Sequence, residues 1–112
     1  MASTYKVLGQ SNPAATTATA LYTVPSSTSA VISSISIANL AATAATFRLI
    51  VQKSGETETI TDKQYLGYDI TVGASDTTII TVGLTLATGD IVKVYASTAT
   101  VAFQAFGSEI TA

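Results

Sequence analysis

The sequence predicts an all-β fold: an antiparallel β-sandwich of about eight short strands with jelly-roll or immunoglobulin-like connections. Apolar, aromatic and small residues alternate at every second position, most clearly in residues 91–96 and 101–106, as is typical of half-buried strands. Gly, Pro and small polar residues interrupt the chain at the short intervals found in sandwiches and barrels. The strands are expected to be antiparallel, because a parallel crossover needs about a dozen residues.

The composition predicts one domain, residues 1–112, with a weakly charged surface. A chain of this length buries roughly two thirds of its unfolded surface, which is enough for a two-layer core without a metal or a disulfide. Charged residues make up 11% of the chain, about half the usual share. Because such a surface is easily desolvated at a protein contact, the composition suits a subunit of an assembly.

The first half of the chain supplies four predicted strands. Pro13 and Pro25 follow the first two, and proline has no N–H to donate to a ladder. Residues 14–19 are either a surface loop or the start of a strand. Residues 40–45 are predicted as a loop, because they have no helix cap and little length. The predicted strands are residues 4–10, 21–24, 30–39 and 46–53.

Residues 30–39 carry small or apolar side chains on both faces. One face contains Val31, Ser33, Ile35 and Ile37, and the other contains only Ala, Ile and Ser. The outer face of a strand in a lone sandwich is normally polar and wet. The pattern therefore predicts that a neighbouring subunit covers this strand.

The second half is organised around residues 86–107, predicted as a hairpin of two long strands joined by the polar tip 97–100. The other predicted elements are strands at 65–70 and 77–82, an exposed charged arm at 54–64 at the rim or in solvent, a connection at 83–88 that buries its two Leu residues, and a tail at 108–112.

The shared alternation of these strands predicts the core. A one-residue slip in register inverts the faces of a strand, so the choice between Phe103 and Phe106 as the core residue stays open. The predicted core residues are Ile35, Ile37, Phe47, Leu49, Val51, Val92, Val94, and Phe103 or Phe106.

Several functional classes are disfavoured by composition. The five Lys and Arg residues are scattered, which disfavours nucleic acid as a partner. The chain has no His and no Cys, so it offers no Ser-His-Asp triad, thiolate or imidazole ligand. No apolar run is long enough for a transmembrane helix, and the first residues do not resemble a signal peptide. Synthesis in a cytoplasm and no membrane partner are expected.

The carboxylates do not suggest a catalytic pair. Glu56 and Glu58 share a face but lie in an exposed charged segment, which is typical of a solvated tip. A calcium site at Asp62, Asp69 or Asp76 with loop carbonyls is the alternative, although the spacing differs from that of an EF-hand. We therefore assign no catalytic, cofactor-binding or metal-binding residue, and we expect no cofactor and no enzymatic activity.

The glycines are interpreted as structural. Gly67 predicts a bulge or a close approach within a strand. Gly73, Gly83 and Gly89 are separate turn residues rather than a phosphate-binding loop, since no Lys-Ser/Thr pair follows them. Asp90 is expected to fix the Gly89 turn by hydrogen bonds from the backbone to its side chain.

The tyrosines allow two interpretations. They are either a platform on which a sugar stacks or anchors at a strand edge or interface with one end in water, and the absence of Trp favours the second. These residues are Tyr5, Tyr22, Tyr65, Tyr68 and Tyr95.

Three features of the first half recur together: LYTVP at residues 21–25, a strand ending in Ala-Asn at residues 31–39, and a small-residue loop before the apolar strand 47–51. With these motifs, most of the chain resembles small β-sandwich virion structural proteins of tailed bacteriophages. YKVLGQ at residues 5–10 and LATGDIVKVYAS at residues 86–97 also resemble that group.

The resemblance implies a non-enzymatic component of a phage virion and brings no catalytic residues. The favoured role is a capsid decoration, or cement, protein that stabilises the major capsid lattice through many weak contacts. The alternatives are a neck, tail or fibre-attachment component and, more remotely, a carbohydrate-binding module. The expected partners are further copies of the chain, in a homo-oligomer for which a trimer is favoured, and the major capsid protein or other virion proteins.

Overall fold

The computed structural model describes residues 2–111, and eight β-strands make up most of them. One turn of 3₁₀ helix, Asp62–Gln64, lies between the fourth and fifth strands. No helix within residues 2–111 has the length and apolar character needed to cross a bilayer. The strands are β1 (Ala2–Ser11), β2 (Thr19–Thr23), β3 (Thr28–Asn39), β4 (Ala45–Gln52), β5 (Tyr65–Val72), β6 (Thr77–Leu86), β7 (Ile91–Ala96) and β8 (Val101–Thr111).

The strands form two four-stranded antiparallel sheets, so the predicted β-sandwich is confirmed. The first sheet has the order β1-β8-β3-β6, and the second has the order β2-β7-β4-β5. The first four strands pair in reverse order with the last four: β1 with β8, β2 with β7, β3 with β6 and β4 with β5. This nested pairing is that of one long ribbon rolled into two sheets. The topology is therefore a jelly roll and not an immunoglobulin fold.

The predicted hairpin at residues 86–107 is wrong. β7 lies between β2 and β4 in the second sheet, whereas β8 lies between β1 and β3 in the first. Residues 97–100 therefore cross from one sheet to the other instead of closing a hairpin. Alternation assigns the faces of a strand but not its partner, and here both strands are central and have other neighbours.

Two predicted boundaries are also corrected. Residues 83–86, expected in a connection, continue β6 after a bulge at Gly83, whose φ is +60°. Residues 108–111, expected in a tail, belong to β8 and pair with both β1 and β3. In both places, backbone pairing with a neighbouring strand extends the strand, although the small and polar residues there do not predict one. Residue 112, the end of the predicted tail, lies outside the described residues.

The core fills the space between the sheets and confirms the predicted residues. Phe47 of β4 and Phe103 of β8 meet edge to face, with ring centroids 6.1 Å apart. Phe103 is fully buried, whereas Phe106 is half-buried on the outer side, which settles the open choice. Val51 is only partly buried and packs against the margin of the core. The other predicted residues, all fully buried, are Ile35, Ile37, Leu49, Val92 and Val94.

The segment 54–64 is not a free arm. Many of its side chains are exposed, as expected, but it packs across the outer face of the second sheet. Gln52 Nε2 donates to Gln64 Oε1 (3.1 Å), and Gln64 Nε2 donates to the Glu56 carbonyl (2.9 Å). Ile50 becomes fully buried on the same outer side of β4. The segment therefore covers part of the second sheet.

We expect Leu49→Ala to reduce the free energy of unfolding by about 2–5 kcal/mol, because it removes a fully buried side chain from the core. Leu40→Ala is the matched control, since Leu40 is 72% exposed, and it should change stability by less than about 0.5 kcal/mol. Urea denaturation of both variants measures the difference. Equal losses would contradict the assigned core.

Candidate functional site

The outer face of the first sheet is the most distinctive surface, and we call it the neutral face. Registered pairs along β1, β8, β3 and β6 place alternate side chains on it. Between its large apolar residues lie only Ser, Thr, Ala and Gln. The large apolar residues on this face are Tyr5, Val7, Val31, Ile79, Phe106 and Ile110.

The two charged residues in these four strands point the other way. Lys6 Nζ lies 2.8 Å from Glu109 Oε1, and the hydroxyl of Tyr22, from the second sheet, donates to Glu109 Oε2. Hydrogen bonds from Lys6 and Tyr22 hold the pKa of Glu109 below its usual range. Burial and the neighbouring carboxylate raise the pKa of the Tyr22 hydroxyl. Among the described residues, every side chain on the neutral face is therefore uncharged.

Several apolar side chains on the neutral face are open to solvent. Tyr5 is 85% exposed and Val7 48% exposed on β1, and Ile79 is 68% exposed on β6. Neutral hydroxyls and amides cost less to desolvate than charged groups, and apolar residues that share one face mark sites of interaction. The face is suited to a protein contact.

The outer face of the second sheet has the opposite character. The Arg48 guanidinium lies between the rings of Tyr68 and Tyr95, 4.1 Å and 4.3 Å from their centroids. Its Nε donates to Asp69 Oδ1 at 2.6 Å. This hydrogen bond raises the pKa of Arg48. The cluster links three neighbouring strands through charge and cation–π contacts.

The structure brings together three of the five tyrosines. Tyr65 and Tyr68 meet edge to face, with centroids 4.9 Å apart and ring planes at 88°, and Tyr95 lies across Arg48. Tyr5 lies on the neutral face and Tyr22 at the Glu109 contact. The rings are not coplanar, and Arg48 occupies one face of Tyr68 and of Tyr95. This arrangement differs from a flat platform for sugar stacking.

The candidate calcium ligands do not converge. Asp62 begins the 3₁₀ turn, Asp69 binds Arg48, and Asp76 accepts a hydrogen bond from the backbone N–H of Thr77. Within residues 2–111, no three carboxylates lie close enough to hold a metal ion together.

Of the two glutamates considered as a pair, Glu56 binds Lys63 and Glu58 is exposed. Lys63 Nζ lies 2.6 Å from Glu56 Oε1, and this contact lowers the pKa of Glu56. Glu56 is therefore paired with a lysine of its own segment and does not form a carboxylate pair with Glu58.

The predicted turn at Gly89 and Asp90 is confirmed. Gly89 has φ of +87°, and within the turn Asp90 Oδ2 accepts a hydrogen bond from the Ala87 backbone N–H at 2.9 Å. Asp90 Oδ1 also accepts from the Ser54 backbone N–H at 2.9 Å, which ties the turn to the segment after β4. Gly73 lies in the β5–β6 turn, but Gly83 belongs to the bulge within β6 rather than to a turn. The glycines are thus far apart in the fold.

Asn39 connects three loops at one end of the sandwich. Its Nδ2 donates to the Thr43 carbonyl (2.8 Å) and the Gly73 carbonyl (3.1 Å). Its Oδ1 accepts from the Ala41 N–H (3.1 Å) and the Thr100 hydroxyl (3.2 Å). Sequence reasoning treated Asn39 only as a strand end. The sequence did contain a signal for this role, namely a lone Asn at the end of a strand of small and apolar residues.

The sandwich is closed along one side and open along the other. At the closed side, between β1 and β2, Gly9 lies directly against the Leu21 carbonyl. At the open side, between β5 and β6, a cleft of about 370 Å³ is lined by residues that include Val51, Leu66 and Leu84. Apolar side chains at the open side therefore remain in contact with solvent.

Comparison with known proteins gives no family. No protein-family model matches the chain, and a search of curated proteins finds no significant match. The two outer faces and the open side are therefore the structural features that bear on its function.

We expect the free energy of unfolding to fall as pH decreases below about 4, because Glu109 has a lowered pKa when folded and must be protonated in acid. The stability that Glu109 contributes is fully present above the pKa it has in the unfolded chain, and it is lost as the pH falls through its lower pKa in the folded protein. Glu109→Gln should flatten part of this fall, whereas Glu58→Gln, at an exposed position, should not. Urea denaturation between pH 2 and 7 tests this, and identical pH profiles for all three proteins would contradict it.

Proposed function

We propose that this chain is a non-enzymatic structural protein of a tailed-phage virion, acting as a capsid decoration protein that stabilises the major capsid lattice. The neutral face is the observation that carries the proposal. It offers four strands of uncharged side chains to a partner, while the charged side chains of residues 2–111 lie on the second sheet, in loops or at the Lys6–Glu109 contact on the inner side of the first sheet.

The size of the neutral face suits one contact of a multivalent assembly. Four strands about 4.8 Å apart and about ten residues long cover on the order of 600 Å². A standard interface buries about 800 Å² on each partner. One such contact is modest, but a decoration protein repeats it over a symmetric lattice, where linked contacts reinforce one another.

The fold alone does not select this function. Jelly rolls occur in viral capsid proteins, lectins and cupins, so the surface and not the fold distinguishes these functions. A lectin role would be favoured by a flat aromatic platform, which the angle between Tyr65 and Tyr68 does not provide. In the proposed role, the chain associates with copies of itself and contacts the major capsid protein. Membranes and nucleic acid are not among its proposed partners.

Copy number separates the capsid role from a neck, tail or fibre-attachment role. A protein that covers the capsid lattice should be present at on the order of hundreds of copies per particle, because capsid symmetry repeats its site. Quantitative mass spectrometry of purified particles, with the major capsid protein as internal standard, gives this number. A few dozen copies or fewer would move the proposal to the neck or tail.

Val7→Glu should weaken binding to emptied capsids by at least about tenfold, because it places a charge on the neutral face. Thr71→Glu makes the same charge change on the outer face of the second sheet and should bind normally. Co-sedimentation of each variant with capsids measures the effect, after circular dichroism has established folding. Equal binding by Val7→Glu and the unaltered chain would count against the neutral face as the contact.

A further inference from the structure

β6 is an edge strand without the usual protection. It pairs with β3 on one side only, so the backbone N–H and C=O groups along its other side have no strand partner within residues 2–111. Residues 77–81, TTIIT, pair with β3 in regular register and contain no charged residue and no Pro. A regular, uncharged edge is a template for pairing with another strand.

The other three edge strands carry protective features. β1 contains Lys6 and a bulge, and β2 has only five residues. β5 is interrupted by register shifts near Gly67 and by the positive φ of Asp69, +50°. Charged residues, bulges and short length all discourage edge pairing. Residues 77–81 are thus the unprotected edge among the described strands.

Apolar groups border this edge on both sides. Ile79 projects from the middle of the 77–81 stretch onto the neutral face and is 68% exposed. On the inner side, the open cleft exposes Leu84 and Leu66 next to β6. A partner on this edge would gain backbone hydrogen bonds and would also cover apolar surface.

We propose that residues 77–81 of β6 pair with the same residues of a second copy, antiparallel and across a two-fold axis. In full overlap, Thr77 opposes Thr81 of the partner subunit and Ile79 opposes Ile79 of the partner subunit. The first sheets of two molecules then form one eight-stranded sheet. This inference rests on the self-association included in the proposed function and gives it a surface and a symmetry.

The chemistry of the segment fits a copy of itself. Two-fold pairing is isologous, so each residue must tolerate a neighbour from the same segment, and uncharged Thr and Ile do so without repulsion. Five residues in antiparallel pairing form about five hydrogen bonds. Ile79 becomes buried against Ile79 of the partner subunit. Pairing uses the free edge of both copies, so this contact stops at two chains and does not extend into a fibre.

The pairing favours a dimer over the trimer expected from the sequence. Light scattering of the purified full-length chain at micromolar concentration should give twice the 11.4 kDa mass of one chain. Ile79→Lys should reduce the mass to that of one chain, because two ammonium groups would meet at the axis. Tyr5→Lys makes a similar change at an exposed site on β1 and should stay dimeric. A monomeric or trimeric unaltered chain, or dissociation by Tyr5→Lys, would overturn the proposal.

Cysteine cross-linking tests the register, since the chain has no native Cys. Opposed residues in antiparallel strands have Cα atoms about 4.5–5.5 Å apart, within disulfide range, so Ile79→Cys should form a covalent dimer under mild oxidation. Thr77→Cys is the matched control, because the two copies of residue 77 would lie about 14 Å apart. Cross-linking at position 77 and not at 79, or at neither position, would overturn the pairing.

Capsid binding by the same proteins separates the two proposals. A dimer that cross-links through Ile79→Cys but does not bind capsids supports the edge pairing and removes the decoration role. A chain that binds capsids but remains monomeric in solution and on the capsid supports decoration and overturns the edge pairing.

Discussion

The packing of Phe47 against Phe103 joins the two sheets, and the placement of the other side chains depends on it. These rings lie at the centre of a dry layer between β4 and β8, so alternate residues of every neighbouring strand must be apolar on the inner side. The two charged residues of the first sheet, Lys6 and Glu109, pair with each other on its inner side, where Tyr22 also donates to Glu109 and the Lys6 side chain stays 47% exposed. The side chains at the alternate, outward-facing positions of each strand then determine the character of the outer faces.

The two outer faces differ because the chain covers only one of them. The segment 54–64 folds across the second sheet and buries Ile50 and Gln52, and the Arg48 cluster occupies the strands beside it. No comparable segment within residues 2–111 crosses the first sheet. The molecule therefore has a charged side with its own cover and a neutral side without one, and both proposed contacts use the neutral side or its edge.

The sequence predicted the local features well and the long-range ones poorly. Alternation placed Phe47 and Leu49 in the core, because inward and outward positions follow period two wherever a strand is regular. It wrongly put Val31 on the face of Ile35 and Ile37, because a register shift between Ile32 and Ser34 moves Val31 to the outer side. It did not place β7 and β8 in different sheets, and it missed the burial of Ile50, which depends on a loop folding back. The neutral face was anticipated only in residues 30–39, since the rest of it comes from strands far apart in the chain.

The position of β8 determines when this molecule can fold during synthesis. β8 lies inside the first sheet, yet it is synthesised after the other seven strands of the sandwich. Until then, β1 and β3 have no strand between them, and half of the core has no opposing layer. The sandwich therefore cannot be completed until β8 has been synthesised, and its many contacts between distant residues make folding slow. During that interval the uncharged β6 stretch is open to pairing with other chains, so the nested pairing that forms the neutral face also prolongs the exposure of its edge.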